Sequence, residues 1–130
     1  MPTIHLKLTN TNAKSVNLGS IGDLRASRIR ISKYSIVSAA QITKYGLFID
    51  FGDFLSITTR DISIVGTHNV YVPINYGLNY TVYDTDIEMN NNFPFFPQKF
   101  DVSLFDENHA PFTLGANYEV NIWLDYIPDE

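Results

Sequence analysis

Cysteine is absent from the 130 residues of this chain. Disulfide bonds, thiolate metal sites and cysteine nucleophiles are therefore excluded. The chain also lacks any apolar run close to the roughly eighteen residues that span a membrane. Its first residues, MPTIHLKLTNTNAKS, have no continuous apolar core of the kind found in a signal peptide. These absences predict a protein that folds in a reducing cytosol and does not insert into a membrane.

Basic residues are few, with nine Lys and Arg against fourteen Asp and Glu, which gives a net charge of −5. A phosphate backbone would be repelled on average, so no nucleic-acid partner is expected. Common catalytic motifs are missing: there is no GxSxG, P-loop or GxGxxG. The histidines His5, His68 and His109 are far apart and have neither HxH nor HExxH spacing. The sequence therefore predicts neither an enzyme nor a bound cofactor.

Aromatic residues are abundant, at 14% of the chain, and they favour β-strands. The clearest strand pattern is NYEVNIWLDYI at residues 117–127, where every second residue is apolar and Trp123 is an aromatic on the polar side. In 28–38 the apolar parity changes, which predicts a β-bulge near Ser32-Lys33. Pro73 predicts that its strand ends there or lies at a sheet edge. Further strand patterns occur at 3–9, 45–51, 54–59, 61–66, 69–74, 79–89 and 99–105. The 10–27 connection has only weak apolar marks, which allow either a short strand near Val16 or a single helical turn near Asp23.

These patterns predict eight or nine strands without an amphipathic helix, spaced every eight to twelve residues with Gly, Asp or Asn at the joints. The predicted fold is all-β, an antiparallel two-sheet sandwich. Eight strands in two sheets is the number in a jelly roll, which is our first choice, and another Greek-key sandwich is the second. An immunoglobulin-like domain would need a Cys-Trp-Cys pattern that is missing. No repeat divides the chain, so we expect a single domain over 1–130.

Two groups of acidic residues are candidate chemical sites. Asp84, Asp86 and Glu88 share one parity, as part of a calcium shell would, but the glycine and the spacing of an EF-hand loop are missing. We favour a solvated polar face and keep these carboxylates as the candidate metal site. Asp50 and Asp53 could form a carboxylate pair for hydrolysis. The simpler interpretation is that Gly52-Asp53 forms a hairpin turn between two strands.

The excess of aromatic residues is the most informative feature. Exposed aromatics usually indicate a protein interface or a ligand groove. The alternative is that they are covered by the 10–27 connection or the 90–97 loop. The candidates are Trp123, Phe105 and Phe48, on the outer parity of their strands, and Phe93, Phe95 and Phe96, in a proline-bracketed loop.

Arg28 and Arg30 share the strand face opposite Ile29 and Ile31. A solvated face is the simpler interpretation of this basic pair. The sharper hypothesis is an acidic partner, such as the Asp125, Asp129 and Glu130 tail of a neighbouring chain.

Three stretches resemble the small jelly-roll structural proteins of DNA viruses, namely the minor capsid, penton and cement proteins of virophages and polinton-like viruses. They are RIRISKYSIVS at 28–38, NNNFPFFPQKFDVSLFDENHAPF at 90–112 and NYEVNIWLDYI at 117–127. The resemblance implies a non-enzymatic structural protein that is assembled in the host cytoplasm, becomes part of the virion and has no catalytic residues.

Two functional hypotheses remain open at this point. The first is a capsid-associated jelly roll that forms homo-oligomers or contacts neighbouring capsid subunits through the aromatics, with Arg28 and Arg30 setting the register. The alternative is a β-sandwich module that binds carbohydrate or a receptor, with the same aromatics as a stacking platform.

Overall fold

The computed structural model describes residues 3–17, 28–52, 55–57, 70–91, 99–115 and 117–127. In these ranges no helix occurs that could cross a membrane. The strands within them are β1 Thr3–Thr9, β2 Ala13–Asn17, β3 Arg28–Ser38, β4 Gly46–Asp50, β5 Leu55–Ile57, β6 Val70–Pro73, β7 Tyr80–Asn91, β8 Lys99–Asp106 and β9 Tyr118–Ile127.

The strands form two antiparallel sheets, one in the order β1-β9-β3-β7-β5 and the other in the order β2-β8-β4-β6. Each successive strand along the chain lies in the other sheet. Without the short β5, each sheet has four strands, which makes eight in total, as in a jelly roll. The three-residue β5 adds to the edge of the first sheet by pairing with the end of β7. The prediction of an all-β jelly-roll sandwich is confirmed.

The core lies between the sheets and is built by strict alternation. In β1 the buried residues alternate with exposed ones, and β8 and β9 bury every second side chain in the same way. Tyr34 is fully buried, and its hydroxyl donates to the carbonyl oxygen of Pro73 at 2.7 Å, which satisfies the only polar atom of its side chain. The largest fully buried side chains are Tyr34, Phe51, Phe112, Leu8, Ile29, Ile31, Ile36, Ile42, Leu47, Ile49 and Met89.

A β-bulge occurs where the parity of β3 changes, between Ile31 and Lys33, so the sequence prediction is confirmed. Relative to β9, β3 carries one extra residue, Ser32. Relative to β3, β7 in turn carries one extra residue across the same region. From β9 to β3 and from β3 to β7, each strand therefore spans this region with one more residue than its neighbour, and such extra residues bend and twist a sheet locally. Because of the bulge, buried Ile31 and buried Tyr34 both face the core although three positions separate them.

Four connections meet at one end of the sandwich, which we call the loop end: residues 10–12, 39–45, 74–79 and the segment after β8. The 39–45 and 74–79 connections run side by side. The backbone N–H of Ile42 donates to the carbonyl oxygen of Leu78, and the carbonyl oxygen of Ile42 accepts from the backbone N–H of Gly77, both at 2.8 Å. These bonds fix the two loops as one layer, because buried or partly buried backbone groups need partners.

One local prediction is wrong. Gly52 does have a positive φ of 82° and donates its N–H to Asp50, but β4 and β5 lie in different sheets. The segment therefore crosses between the sheets instead of forming a hairpin, because the partners of β4 are β6 and β8. The 69–74 strand ends at Pro73 and lies at a sheet edge, as predicted. The 61–66 pattern and the 90–97 loop, apart from 90–91, lie outside the described residues.

Candidate interaction surfaces

The outer face of the five-stranded sheet is charged at the end remote from the loop end. Arg28 Nη1 lies 3.5 Å from Glu88 Oε1. Arg30 Nη1 lies 3.5 Å from Asp86 Oδ1, and its Nη2 lies 3.0 Å from Asp125 Oδ2. We call these five residues the ionic half. Both arginines therefore have acidic partners within the chain, Asp125 among those of Arg30, and an acidic partner on a neighbouring chain stays a prediction.

Asp125 is the best-shielded member of the ionic half, with only 13% of its side chain exposed. The hydroxyl of Thr3 donates to Asp125 Oδ1 at 2.7 Å and is the main cause that lowers the pKa of this carboxyl. Burial opposes the shift, and the guanidinium of Arg30 adds to it. The hydrogen bond that Arg30 donates to Asp125 in turn raises the pKa of Arg30. Both groups therefore stay ionised, and the two arginines of the ionic half are paired within the chain with its three carboxylates.

Trp123 lies in the middle of the same face, and residues of both adjacent strands flank it. The rings of His5 and Trp123 are stacked, with centroids 4.5 Å apart and planes at 3°. On the other strand, Lys33 Nζ is 5.1 Å from the centre of the Trp123 ring, within the range of a cation–π contact. His5 Nε2 is also 2.7 Å from Asn121 Oδ1, which fixes the imidazole. Trp123 is therefore packed from both sides by its own sheet.

Phe48 and Phe105 lie on the outer face of the other sheet, directly opposite each other on β4 and β8. The ring of Phe48 contacts both Tyr71 and His109, with centroid distances of 4.6 Å in each case. Tyr71 covers Gly46 so closely that a Cβ atom at Gly46 would collide with its ring. This cluster is an aromatic layer over the sheet, and its faces are largely used by its own members.

Asp106, at the end of β8, holds the loop that brings His109 onto Phe48. Its Oδ1 accepts the backbone N–H groups of Asn108 and Ala110 at 2.9 and 3.0 Å, and its Oδ2 accepts from Lys44 Nζ at 3.1 Å. Burial alone would raise the pKa of this carboxyl, but these three donors outweigh it and lower the pKa. A buried charge with three donors is structural support for the loop end.

The predicted aromatic candidates do not form one patch. Trp123 faces outward from the five-stranded sheet, whereas Phe48 and Phe105 face outward from the four-stranded sheet on the opposite side of the sandwich. The structure brings Phe48 and Phe105 together and keeps them apart from Trp123. Phe93, Phe95 and Phe96 lie outside the described residues.

The carboxylates of Asp84, Asp86 and Glu88 do not gather as a metal site would. Asp86 and Glu88 are directed to Arg30 and Arg28. Across the described ranges, no group of three or more metal-ligating side chains is close enough to hold an ion. The interpretation as a polar face fits this geometry.

The loop end carries a surface that the sequence analysis did not single out. Six large side chains with substantial exposed fractions occur on β3, β7 and the two hydrogen-bonded loops, including Tyr45 at 63% and Tyr80 at 57%. We call them the apolar strip: Val37, Tyr45, Tyr76, Leu78, Tyr80 and Val82. A shallow pocket of about 340 Å³ adjoins Val37 and is lined otherwise by Thr9, Asn10, Asn117, Tyr118 and Glu119.

Part of this strip was detectable from parity. Tyr80 and Val82 share the parity of Asp84, which the sequence places on a polar face, so they belong on the solvent side. Likewise, Val37 has the parity opposite to buried Ile36. Tyr45 and Tyr76 lie in loops, where no periodicity exists, and only the fold brings them together.

No family model matches the chain, and no curated protein matches it by sequence. Among solved structures, the penton protein of mavirus is similar with a TM-score of 0.55 and 8% identity, over 98% of this chain and 100% of the other. The core of the Drosophila protein NLP has a TM-score of 0.35 and 12% identity, over 98% and 100% of the two chains. A nora virus structure has a TM-score of 0.29 and 12% identity, over 97% of this chain and 55% of the other.

The mavirus likeness covers both chains from end to end, so the two proteins share the jelly-roll architecture. At 8% identity this similarity shows the fold alone. The resemblance to a virophage structural protein that the sequence suggested is thus confirmed at the level of fold. The other two structures carry no argument at their TM-scores.

Proposed function

We propose that this chain is a non-enzymatic structural subunit of a viral capsid, of the penton type, and a component of the virion. The observation that carries the proposal is the end-to-end likeness of its jelly roll to the mavirus penton protein. The subunit acts by contacting copies of itself and neighbouring capsid subunits.

The described surfaces are consistent with a protein that binds other proteins. The arginines of the ionic half and Asp106 have charged partners within the chain, and no metal site occurs among the described residues. The apolar strip is exposed, uncharged and rich in tyrosine, which is typical of the centre of a protein interface.

Carbohydrate or receptor binding through the predicted aromatics receives no support from the geometry. A stacking platform needs a free ring face, but Trp123 has His5 and Lys33 at its sides. Phe48 is similarly engaged by Tyr71 and His109. We therefore put forward the capsid function alone.

The proposal is tested by measuring the solution mass of the wild-type chain by light scattering over a wide concentration range, with electron microscopy of the same samples. We expect a closed oligomer of defined size that persists on dilution. A folded chain that stays monomeric at every concentration and forms no ring or particle would overturn the proposal.

A further inference from the structure

The apolar strip extends over two adjacent strands, β3 and β7, and over the two hydrogen-bonded loops of the loop end. On the outer face of the sheet, Val37 and Tyr80 are direct cross-strand neighbours, and Val82 follows two residues along the same strand. Backbone bonds between the 39–45 and 74–79 connections carry the surface around the loop end. There the rings of Tyr45 and Tyr76 are stacked, with centroids 4.3 Å apart and planes at 13°.

The size of the strip matches what an interface needs. A half-exposed large side chain leaves on the order of 100 Å² accessible, so the six residues of the strip present roughly 600 Å². The largest apolar patch on a typical monomer is about 300–600 Å². A stable interface buries about 800 Å² on each partner, and the polar groups between these side chains supply the remainder.

The charge of the strip indicates which partner it fits. The whole chain has a net charge of −5, so two copies repel each other except where the local charge is close to zero. None of the six residues is charged, and two ion pairs at this end are closed within the chain: Lys7 with Glu119 at 3.7 Å, and Lys44 with Asp106 at 3.1 Å. Asp84, two residues beyond Val82, lies opposite Lys33 in the pairing of β7 with β3. A like-charged second copy therefore meets less repulsion here than at the acidic parts of the surface.

The strip is also held in place before any contact is made. Tyr83 donates its hydroxyl to Asn75 Oδ1 at 2.7 Å, and Asn79 Nδ2 donates to the carbonyl oxygens of Ser38 and Ala39 at 3.3 Å. These bonds order the loops in the free chain, so less conformational entropy is lost on association.

We propose that the apolar strip is the surface through which one copy of this chain contacts a second copy. The inference rests on the proposed function of a capsid subunit and deepens it by assigning the contact to this end of the sandwich. In this proposal Trp123, Phe48 and Phe105 pack against residues of their own sheets. The tyrosines and aliphatic side chains of the loop end form the contact between the two copies.

The test is Tyr80→Lys, which places a charge at the centre of the strip on a side chain that is 57% exposed. The substitution makes the net charge of −5 less negative, which by itself would favour association. The matched control is Asn17→Lys, which adds the same charge at an exposed position, at the end of β2 that is remote from the loop end. Leu78→Lys repeats the test from the loop.

The self-association constant of each variant is measured by sedimentation equilibrium, and folding is checked by thermal unfolding. We expect Tyr80→Lys and Leu78→Lys to weaken association by at least about tenfold, as loss of a central interface residue does. Asn17→Lys should associate like the wild type, and all variants should keep the thermal midpoint of the wild type.

The outcomes separate the two proposals. If the wild type associates and Tyr80→Lys and Leu78→Lys associate equally well, the strip is not the contact, but the capsid proposal stands. An equal weakening in Asn17→Lys would also overturn the assignment to the strip. If the wild type itself never associates, both proposals fail.

Discussion

The two ends of the outer face of the five-stranded sheet differ in their side chains: those at one end are charged and paired, and those at the other are apolar and exposed. In the ionic half, Arg28 is paired with Glu88, and Arg30 lies between Asp86 and Asp125. At the loop end of the same face, Val37 and Tyr80 leave about half of their surface in water. The ionic half gains little from a partner, because a contact would have to desolvate charges that are already paired. The apolar strip gains most from being covered by a partner.

The bulge at Ser32 lies between these halves and sets which side chains reach the outer face. On one side of it the even-numbered residues of β3 face outward, and on the other side the odd-numbered ones do. A strand without the bulge could not present both Arg30 and Val37 outward while it buries both Ile31 and Tyr34.

The largest effect is expected from deleting a residue where the alternation is unbroken. Deletion of Asn121 in β9 shifts one part of this strand by one position, so Ile122 and Leu124 turn outward while Trp123 and Asp125 turn inward. We expect loss of the folded state, measured as loss of the cooperative thermal transition in circular dichroism.

Deletion of Ser32 is the control for that experiment. It removes the extra residue of β3 relative to β9 and leaves Ile31 and Tyr34 facing the core in regular alternation. The protein should still fold, with reduced stability because the bulge no longer matches the bend of the sheet. If both deletions abolished folding equally, parity would not be what joins the two halves.

A smaller effect is expected within the ionic half. Arg30→Ala leaves the shielded carboxylate of Asp125 with neutral donors only, so we expect the thermal midpoint to fall by a few degrees. Arg28→Ala removes a pair in which both side chains are about half exposed, and the midpoint should stay within about 1 °C of the wild type. Equal shifts in the two variants would contradict the assigned difference in shielding.

Part of the acid dependence should come from Asp125 of the ionic half, whereas the apolar strip carries no carboxylate. The pKa of Asp125 is lower in the folded chain than in the unfolded one, where an aspartate titrates near about 3.9. The resulting stabilisation is complete above that pH and is lost as the pH falls through the folded pKa. We expect Asp125→Asn to flatten the fall of the thermal midpoint below about pH 4.

Its control is Val37→Thr, which should retain the acid dependence of the wild type, since residue 37 carries no titrating group. If Asp125→Asn left the acid profile unchanged, Asp125 would not be a source of the dependence.

The smallest effect is expected for Val37→Thr in the isolated chain. Threonine keeps the β-branched shape that suits a strand, and the side chain is half exposed, so stability should change by less than about 0.5 kcal/mol. Denaturant unfolding at a dilution where the chain is monomeric measures this. A large loss would mean that Val37 belongs to the core and not to the surface.

Where alternation is regular, the sequence was sufficient. The strands around Leu6, Val102 and Ile122 have one oily and one polar face, and even the bulge was visible as a change of parity. Alternation does not predict, however, in which of the two sheets a strand lies. The Gly52-Asp53 step between two apolar runs is a local pattern that favours a hairpin, whereas long-range pairing with β8 and β7 places β4 and β5 in different sheets.

The candidate surfaces were predicted less well, for a related reason. Parity correctly placed Trp123, Phe48 and Phe105 on outer faces, but it contains no information on lateral neighbours. His5 stacks on Trp123 from a position 118 residues earlier in the chain, and that contact exists only because β1 pairs with β9. The same holds for Tyr45 and Tyr76, whose stacking depends on two loops that meet at one end.

The pairing of β9 between β1 and β3 also determines when the protein can fold during synthesis. Both of these strands pair with residues 118–127, so this sheet cannot close until the ribosome has made β9. Pairings between distant residues are slow to form, because a long loop must close before any contact rewards it. Until then β1 and β3 lack the strand between them and are open to pairing with other nascent chains. Folding yield in cells should therefore depend on how quickly β9 emerges and less on the strength of the core.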